Sequence, residues 1–308
     1  MGMGKILVTG SSGTIGTRLC ERLMAETERE VVGLDRRPNA WHAGVQQITV
    51  VADLLDPAAL AQLPGDFDVV VHLAANARVY DLVEDPSQAR DNMLTVFNVL
   101  EFCRTRGIKR VMFASSREVY GNSGGLVHAE EPVHIHDCES PYSASKITGE
   151  ALVHAYQQCY GIDFINFRFS NVYGMYDDSN RVVPLFIRLT KAGKDLTVFG
   201  KDKLLDFTYI DDTIDGIKLA LDRFDHARNR VYNLAFGEGT TILKVAEVVR
   251  ERLGAKTQIH LGAVRTGEVV QYVADITRAR EHLRYAPKVS FAEGIERSVQ
   301  WYEANLYR

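Results

Sequence analysis

Short apolar runs alternate with longer amphipathic stretches along the first half of the chain. Lys5-Ile-Leu-Val-Thr9 is a compact apolar run closed by glycine, which predicts a buried strand. Gly10-Ser-Ser-Gly13-Thr-Ile-Gly16 follows, and the pattern over 17–26 predicts a helix. Further strands are expected over 31–34, 48–51, 68–74, 110–114 and 164–168. Over 91–106, Val96, Val99, Leu100 and Cys103 share one face at the i, i+3, i+4, i+7 spacing of a helix. A second long helix is expected over 142–160, with Ser140 as its N-cap and Pro141 as its first residue. Strands that take turns with helices predict an α/β fold, a Rossmann-like, doubly wound parallel sheet, over residues 1–170.

The rhythm loosens after residue 170, where Gly, Asp and Asn gather over 171–180. Helices are expected over 182–192, 211–224, 242–253 and 291–305, and strands over 196–199, 207–210, 231–234 and 258–261. This predicts a smaller α/β lobe at 171–308, mainly for substrate, from which some segments rejoin the sheet. Composition adds exclusions. The chain has 308 residues, 46% hydrophobic and 25% charged, and a formal net charge of -4, with no basic character that would suit nucleic acid. No apolar window is long enough to predict a membrane span. The N-terminus runs straight into a strand rather than a signal peptide. The four cysteines (Cys20, Cys103, Cys138, Cys159) form no C-x-x-C and read as reduced thiols of a cytoplasmic protein.

Three groups of residues suggest chemistry. Gly10, Gly13 and Gly16 between a strand and a helix allow a tight turn and close backbone approach, and the helix N-terminus then offers N–H groups to a pyrophosphate. Asp35 ends the second strand, 25 positions after Gly10. A carboxylate there accepts from a ribose 2′-hydroxyl and repels a 2′-phosphate, which favours NAD, although Arg36 and Arg37 beside it would suit NADP. Asp53, followed by Leu54, stands where an acid can meet the adenine amino group. Tyr142 and Lys146 are four residues apart, one helical turn, so they share a face. A nearby ammonium should lower the tyrosine pKa, making it fit to move a hydroxyl proton while a cofactor takes a hydride.

The order of these motifs is specific. Thr9-Gly-Ser-Ser-Gly-Thr-Ile-Gly16, His72-Leu-Ala-Ala75, Ser115-Ser-Arg-Glu-Val-Tyr-Gly121, Tyr142-x-x-x-Lys146 and Arg168-Phe-Ser-Asn-Val-Tyr-Gly174 resemble the extended short-chain dehydrogenase/reductases. The chain looks most like their NAD-dependent nucleotide-sugar epimerase/dehydratase family, of the UDP-glucose 4-epimerase type. The tail carries the likeness on, through Thr197-Val-Phe-Gly200, Asp206-Phe-Thr-Tyr-Ile-Asp-Asp212 and Arg265-Thr-Gly-Glu268. The resemblance implies roles. Ser116, Tyr142 and Lys146 would be catalytic, with Glu118 beside them. Ser12, Thr14, Ile15, Leu73, Ala74, Ala75 and Asn92 would join the glycines, Asp35, Arg36, Asp53 and Leu54 around NAD. Asn76, Ser116, Arg117, Asn171, Val198, Phe199, Arg265 and Glu268 would meet the substrate, with Arg265 on its phosphates and Glu268 on its ribose.

Two departures stand out. The arginine that relatives place just before Asp-Phe-x-Tyr is Leu205 here, with Lys203 two residues away. The proline after Asn-Val-Tyr-Gly is Met175. Dehydratases of the family carry an aspartate and a glutamate after the serine, whereas this chain has Arg117 and Glu118. That favours C4 epimerisation of a nucleotide sugar, neutral or uronic. Uronate decarboxylation, another dehydratase reaction, or net dehydrogenation of a substrate without a nucleotide stand as alternatives. Arg117 would suit a sugar carboxylate. His128, His134, His136 and Asp137 read as loop polarity, so no metal is expected. The resemblance also implies a homodimer through the helices that follow residues 91 and 141.

Overall fold

Strands buried on both faces cannot alternate apolar with polar residues, and the apolar runs of this chain form such a sheet. The computed structural model describes residues 4–122 and 125–306. Its first strands are β1 (Lys5–Thr9), β2 (Glu30–Asp35), β3 (Thr49–Val51), β4 (Val69–His72), β5 (Arg110–Ser116), β6 (Val127–His128) and β7 (Asp163–Phe169). The later ones are β8 (Asn171–Tyr173), β9 (Leu196–Phe199), β10 (Leu204–Tyr209), β11 (Arg230–Leu234), β12 (Gly239–Thr241), β13 (Ile259–Gly262) and β14 (Gln271–Ala274). Between them run α1 (Thr14–Glu26), α2 (Ala43–Ile48), α3 (Pro57–Ala61), α4 (Val79–Glu84), α5 (Ser87–Arg106) and α6 (Pro141–Tyr160). They are followed by α7 (Val182–Lys191), α8 (Ile210–Asp222), α9 (Phe224–Ala227), α10 (Ile242–Arg252), α11 (Thr277–Leu283) and α12 (Phe291–Asn305).

Seven strands make one parallel sheet in the order β11-β7-β5-β4-β1-β2-β3. The chain winds outward from β1 to β3, returns beside β1 at β4, and winds the other way. The crevice between β1 and β4, at their carboxyl ends, is the place where such sheets bind ligands. Alternation along β1 divides the core. Ile6 and Val8 pack with Leu19, Cys20 and Leu23 of α1, while Leu7 joins Val99, Leu100 and Cys103 of α5. The second lobe has a sheet in the order β12-β10-β14-β6, with β8 on β10, and a separate β9–β13 pair. Among the described residues no helix is long and apolar enough to cross a membrane.

Helix α6 is set by its sequence. The Ser140 hydroxyl accepts from the Ser143 N–H at 3.1 Å, Pro141 opens the helix, and Gly161 closes it at φ +62°. Gly149 lets it approach the sheet closely, since a Cβ there would collide with the Phe113 ring of β5.

The structure also departs from the sequence pattern. Ile48 closes α2 instead of opening β3, because Val45 of that helix is fully buried. The helix expected over 211–224 breaks at Arg223 into α8 and α9. The short β6, β8, β12 and β14 were not predicted. Their partners are distant in sequence, so local periodicity carries no sign of them.

Candidate active site

The glycine turn is built for close approach. Gly10 has φ +76°, and a Cβ there would lie 2.7 Å from the Ala74 nitrogen, while one at Gly16 would collide with the Gly10 carbonyl. Gly13 caps α1 with no side chain, and the first turn holds no acid, so its N–H groups stay open to an anion. Ser12, Thr14 and Ile15 line the same mouth as the three glycines. Beyond it a cavity of about 160 Å³ gathers Asp35, Arg36, Asp53, Leu54, Leu73, Ala74, Ala75 and Asn92. Asp35 is held by the Ser12 N–H at 3.0 Å and the Arg37 N–H at 3.1 Å. Asn92 accepts from the Asn76 N–H at 2.7 Å and donates to the Asn76 carbonyl at 2.9 Å, which latches the loop after β4 to α5. Asn76 therefore lines the smaller cavity beside Asn92.

The larger cavity, of about 550 Å³, joins the glycine turn to Ser116, Arg117, Glu118, Tyr142 and Lys146 and to the second lobe. Ser116 ends β5, and its hydroxyl accepts from the Glu118 N–H at 3.2 Å. Ser116 lines the cavity with Tyr142 and pulls its pKa down. Lys146 Nζ donates to the Ala114 carbonyl at 2.7 Å and lies 5.7 Å from the centre of the Tyr142 ring. The expected lowering of the tyrosine pKa by Lys146 does not appear. Burial dominates, pushing Tyr142 up to about 12 against the downward pull of Ser116. Burial likewise pushes Lys146 down to about 8, opposed by Glu150.

Next to this group lies a buried set of charges. Arg117 Nη2 pairs with Glu118 Oε1 at 2.7 Å and donates to Asn171 Oδ1 at 3.4 Å. Arg117 Nη1 and Glu118 Oε2 are buried without a hydrogen-bond partner. Burial raises the Glu118 pKa, and Arg117 and Lys203 oppose the rise. Lys203 Nζ binds Glu268 Oε2 at 2.9 Å. Lys203 precedes β10, and Leu205, buried within the strand, lines the same cavity. Lys203 thus brings an ammonium to the cavity beside Leu205. Arg265 stacks over Phe199 at 4.0 Å and over Tyr80 at 4.9 Å.

One expected substrate residue is turned away from the cavity. Val198 is fully buried in the core, because alternation along β9 turns it away while Thr197 and Phe199 line the cavity. Asn171 lines the cavity, and its Nδ2 donates to the Asp206 carbonyl at 2.9 Å. Thr197, Tyr80 and Arg181 line the cavity without having been expected. For Thr197 the alternation along its strand was the available sign, whereas Arg181 had none.

The family model for the NAD dependent epimerase/dehydratase family matches residues 6–235. The chain belongs to the NAD-dependent nucleotide-sugar epimerase/dehydratase family. A curated relative, an uncharacterized UDP-glucose epimerase of Bacillus subtilis (strain 168), is 32% identical and aligns over 99% of both chains. Among solved structures, the UDP-glucose 4-epimerase of Thermus thermophilus in complex with NAD is similar at TM-score 0.85 and 29% identity, covering 98% of this chain and 100% of that one. The dTDP-glucose 4,6-dehydratase of Streptomyces venezuelae with NAD bound matches at TM-score 0.89 and 29% identity, covering 98% and 97%. As a family member the chain is an enzyme with NAD as its cofactor, and its chemistry is epimerisation or dehydration. The residues fit that cofactor. The glycines let the turn fold tightly against its own backbone and the loop after β4, α1 leaves its N–H groups open, and a carboxylate ends β2.

Proposed function

We propose that the enzyme interconverts C4 epimers of a nucleotide-diphosphate sugar, either a UDP-hexose or a UDP-uronic acid. The observation that carries this reading is the pairing of Glu118 with Arg117 at 2.7 Å, beside Ser116 and Tyr142. Dehydration needs an acid to release the leaving hydroxyl and a free base for the neighbouring carbon. Here arginine stands in the place of the acid, and the glutamate is tied to it. The hydroxyl pair of Ser116 and Tyr142 needs neither group to oxidise C4.

When bound, NAD supplies a reversible hydride acceptor and a positive charge close to the phenol. Ser116 orients the sugar hydroxyl and the Tyr142 hydroxyl together. Tyr142, favoured as phenolate by that charge, takes the proton of the C4 hydroxyl and later returns one. Lys146 would also hold the nicotinamide ribose. Lys203 and Arg265 bring two cations to the substrate end of the cavity, which supports a diphosphate there and offsets the loss of arginine at Leu205. Asp35 supports NAD over NADP. Glu268 remains our candidate for the nucleotide ribose, once Lys203 is drawn to the phosphates.

A panel of uridine, thymidine, guanosine and cytidine diphosphate sugars, followed by mass and NMR, tests the reading. Unchanged mass with inverted C4 is expected, and loss of water would sink it. Loss of carbon dioxide would instead mark a uronate decarboxylase with Glu118 in the reaction. The partnerless Arg117 Nη1 favours a uronate as the second substrate reading. R117A should then impair turnover of uronates more than of neutral sugars; equal losses would remove it.

We further propose a homodimer through α5 and α6. Leu94 and Phe97 are exposed on α5, and the small Ala151 and Ala155 are exposed on α6. All four cysteines are free, which supports a reducing, cytoplasmic setting.

A further inference from the structure

Residues 174–181 form a strap from the second lobe across the glycine turn. Tyr176 has φ +62°, a conformation that is costly for an aromatic residue and persists only where its surroundings enforce it. The surroundings do so. Its ring packs against Trp41 at 6.3 Å and Trp301 at 5.2 Å, and its hydroxyl donates to Glu21 Oε2 at 3.1 Å. Its carbonyl accepts from the Thr14 hydroxyl at 3.0 Å. The next residue is held too, since the Tyr302 hydroxyl donates to the Asp177 carbonyl.

Arg181 ends the strap. Its Nη2 lies 3.1 Å from Thr14 Oγ1 and 2.9 Å from Asp177 Oδ2, and its Nε donates to Ser179 Oγ at 3.3 Å. Thr14 is the first residue of α1, so this guanidinium stands at the open N-terminus where the glycines make room. It lines the same cavity as Gly10, Gly13 and Tyr142. Asp177, its ion-pair partner, is 3% exposed.

We propose that Arg181 binds the pyrophosphate of the dinucleotide from the substrate lobe, and that Asp177 restrains the guanidinium until that anion arrives. A planar guanidinium suits a phosphate as well as it suits a carboxylate. The open N–H groups of α1 favour the phosphate at this spot, while Asp177 competes for the same cation. Cofactor retention then depends on a residue 167 positions from the turn it serves. The inference rests on the cofactor alone and is independent of which sugar is turned over.

Cofactor-stripped wild type, R181Q, R181K and D177N are titrated with NAD by calorimetry, with no sugar nucleotide present. Losing one charge-assisted contact should weaken NAD binding in R181Q about tenfold or more. R181K should recover part of the loss, and D177N should bind NAD more tightly than wild type. Adenosine, which lacks the pyrophosphate, should bind all four proteins alike. Melting of the cofactor-free proteins separates these effects from folding, and R181Q should melt with wild type. NAD affinity in R181Q within about twofold of wild type would overturn the proposal. So would a D177N variant weakened as much as R181Q, because that pattern marks the pair as a structural brace.

Discussion

Tyr142 is a buried phenol whose environment keeps it protonated until positive charge arrives. The proposed role predicts that Y142F lowers turnover about 10²–10⁴-fold, the usual range for a positioned acid–base group. NAD content after purification should hardly change, and an equal loss of bound NAD would mean the ring serves the cofactor instead. His72 gives a separate pH signature. Burial pushes its imidazole down to about 3 from 6.5, and its Nδ1 shares a hydrogen bond with the Thr9 hydroxyl at 2.7 Å. The fold refuses a proton that the unfolded chain accepts. Stability from this group is therefore intact above pH 6.5 and falls as pH drops toward 3, by about 1.4 kcal/mol per pH unit. Melting temperature against pH should fall less steeply in H72Q than in wild type. At this scale the sequence was legible where one local rule decides. One helical turn separates Tyr142 from Lys146, and the glycines mark their own turn. Burial of Arg117 and the reversed pKa shifts come from tertiary surroundings, which no local pattern records.

At the scale of elements, the site depends on how closely α6 meets β5. Gly149 sets that distance, and Lys146 reaches the Ala114 carbonyl because of it. G149A should cost about 1–3 kcal/mol by overpacking against Phe113, read as a lowered unfolding midpoint in denaturant. Strand β10 carries a second test. Lys203, just before it, and Leu205 line one cavity, so K203A should weaken binding of nucleoside diphosphates but not of nucleosides. L205R in the K203A background should restore it, and calorimetry on NAD-loaded protein reads both steps. Alternation was informative here when followed strictly. Val198 and Phe199 are adjacent on β9, so one of the two had to face the core, and Thr197 to share the face of Phe199. Long elements such as α5 and α6 were legible nearly to their ends because their apolar faces repeat. Strands of two to four residues such as β6 and β14 do not repeat, and they exist through their partners.

Across the whole molecule, the two lobes share one cavity, and the proposed dimer lies on the far side of the sheet from α1. Replacing both Leu94 and Phe97 with aspartate should give a monomer by light scattering while leaving the fold intact by circular dichroism. A wild-type monomer at micromolar concentration would refute the interface. The doubly wound sheet was readable in advance from its buried runs, but the second sheet was not, since distant segments assemble it.

The place of β11 has a consequence for synthesis. It pairs with β7 at the edge of the main sheet, although α7, α8, α9 and three other strands separate the two in sequence. A growing chain that has emerged only to residue 170 therefore shows β7 as an open edge, with the backbone beside Ile165 and Phe167 still waiting for its partner. Such an edge invites pairing between nascent chains. Folding of the cofactor half is completed only when residue 234 leaves the ribosome, so much of the second lobe is made before the first is sealed.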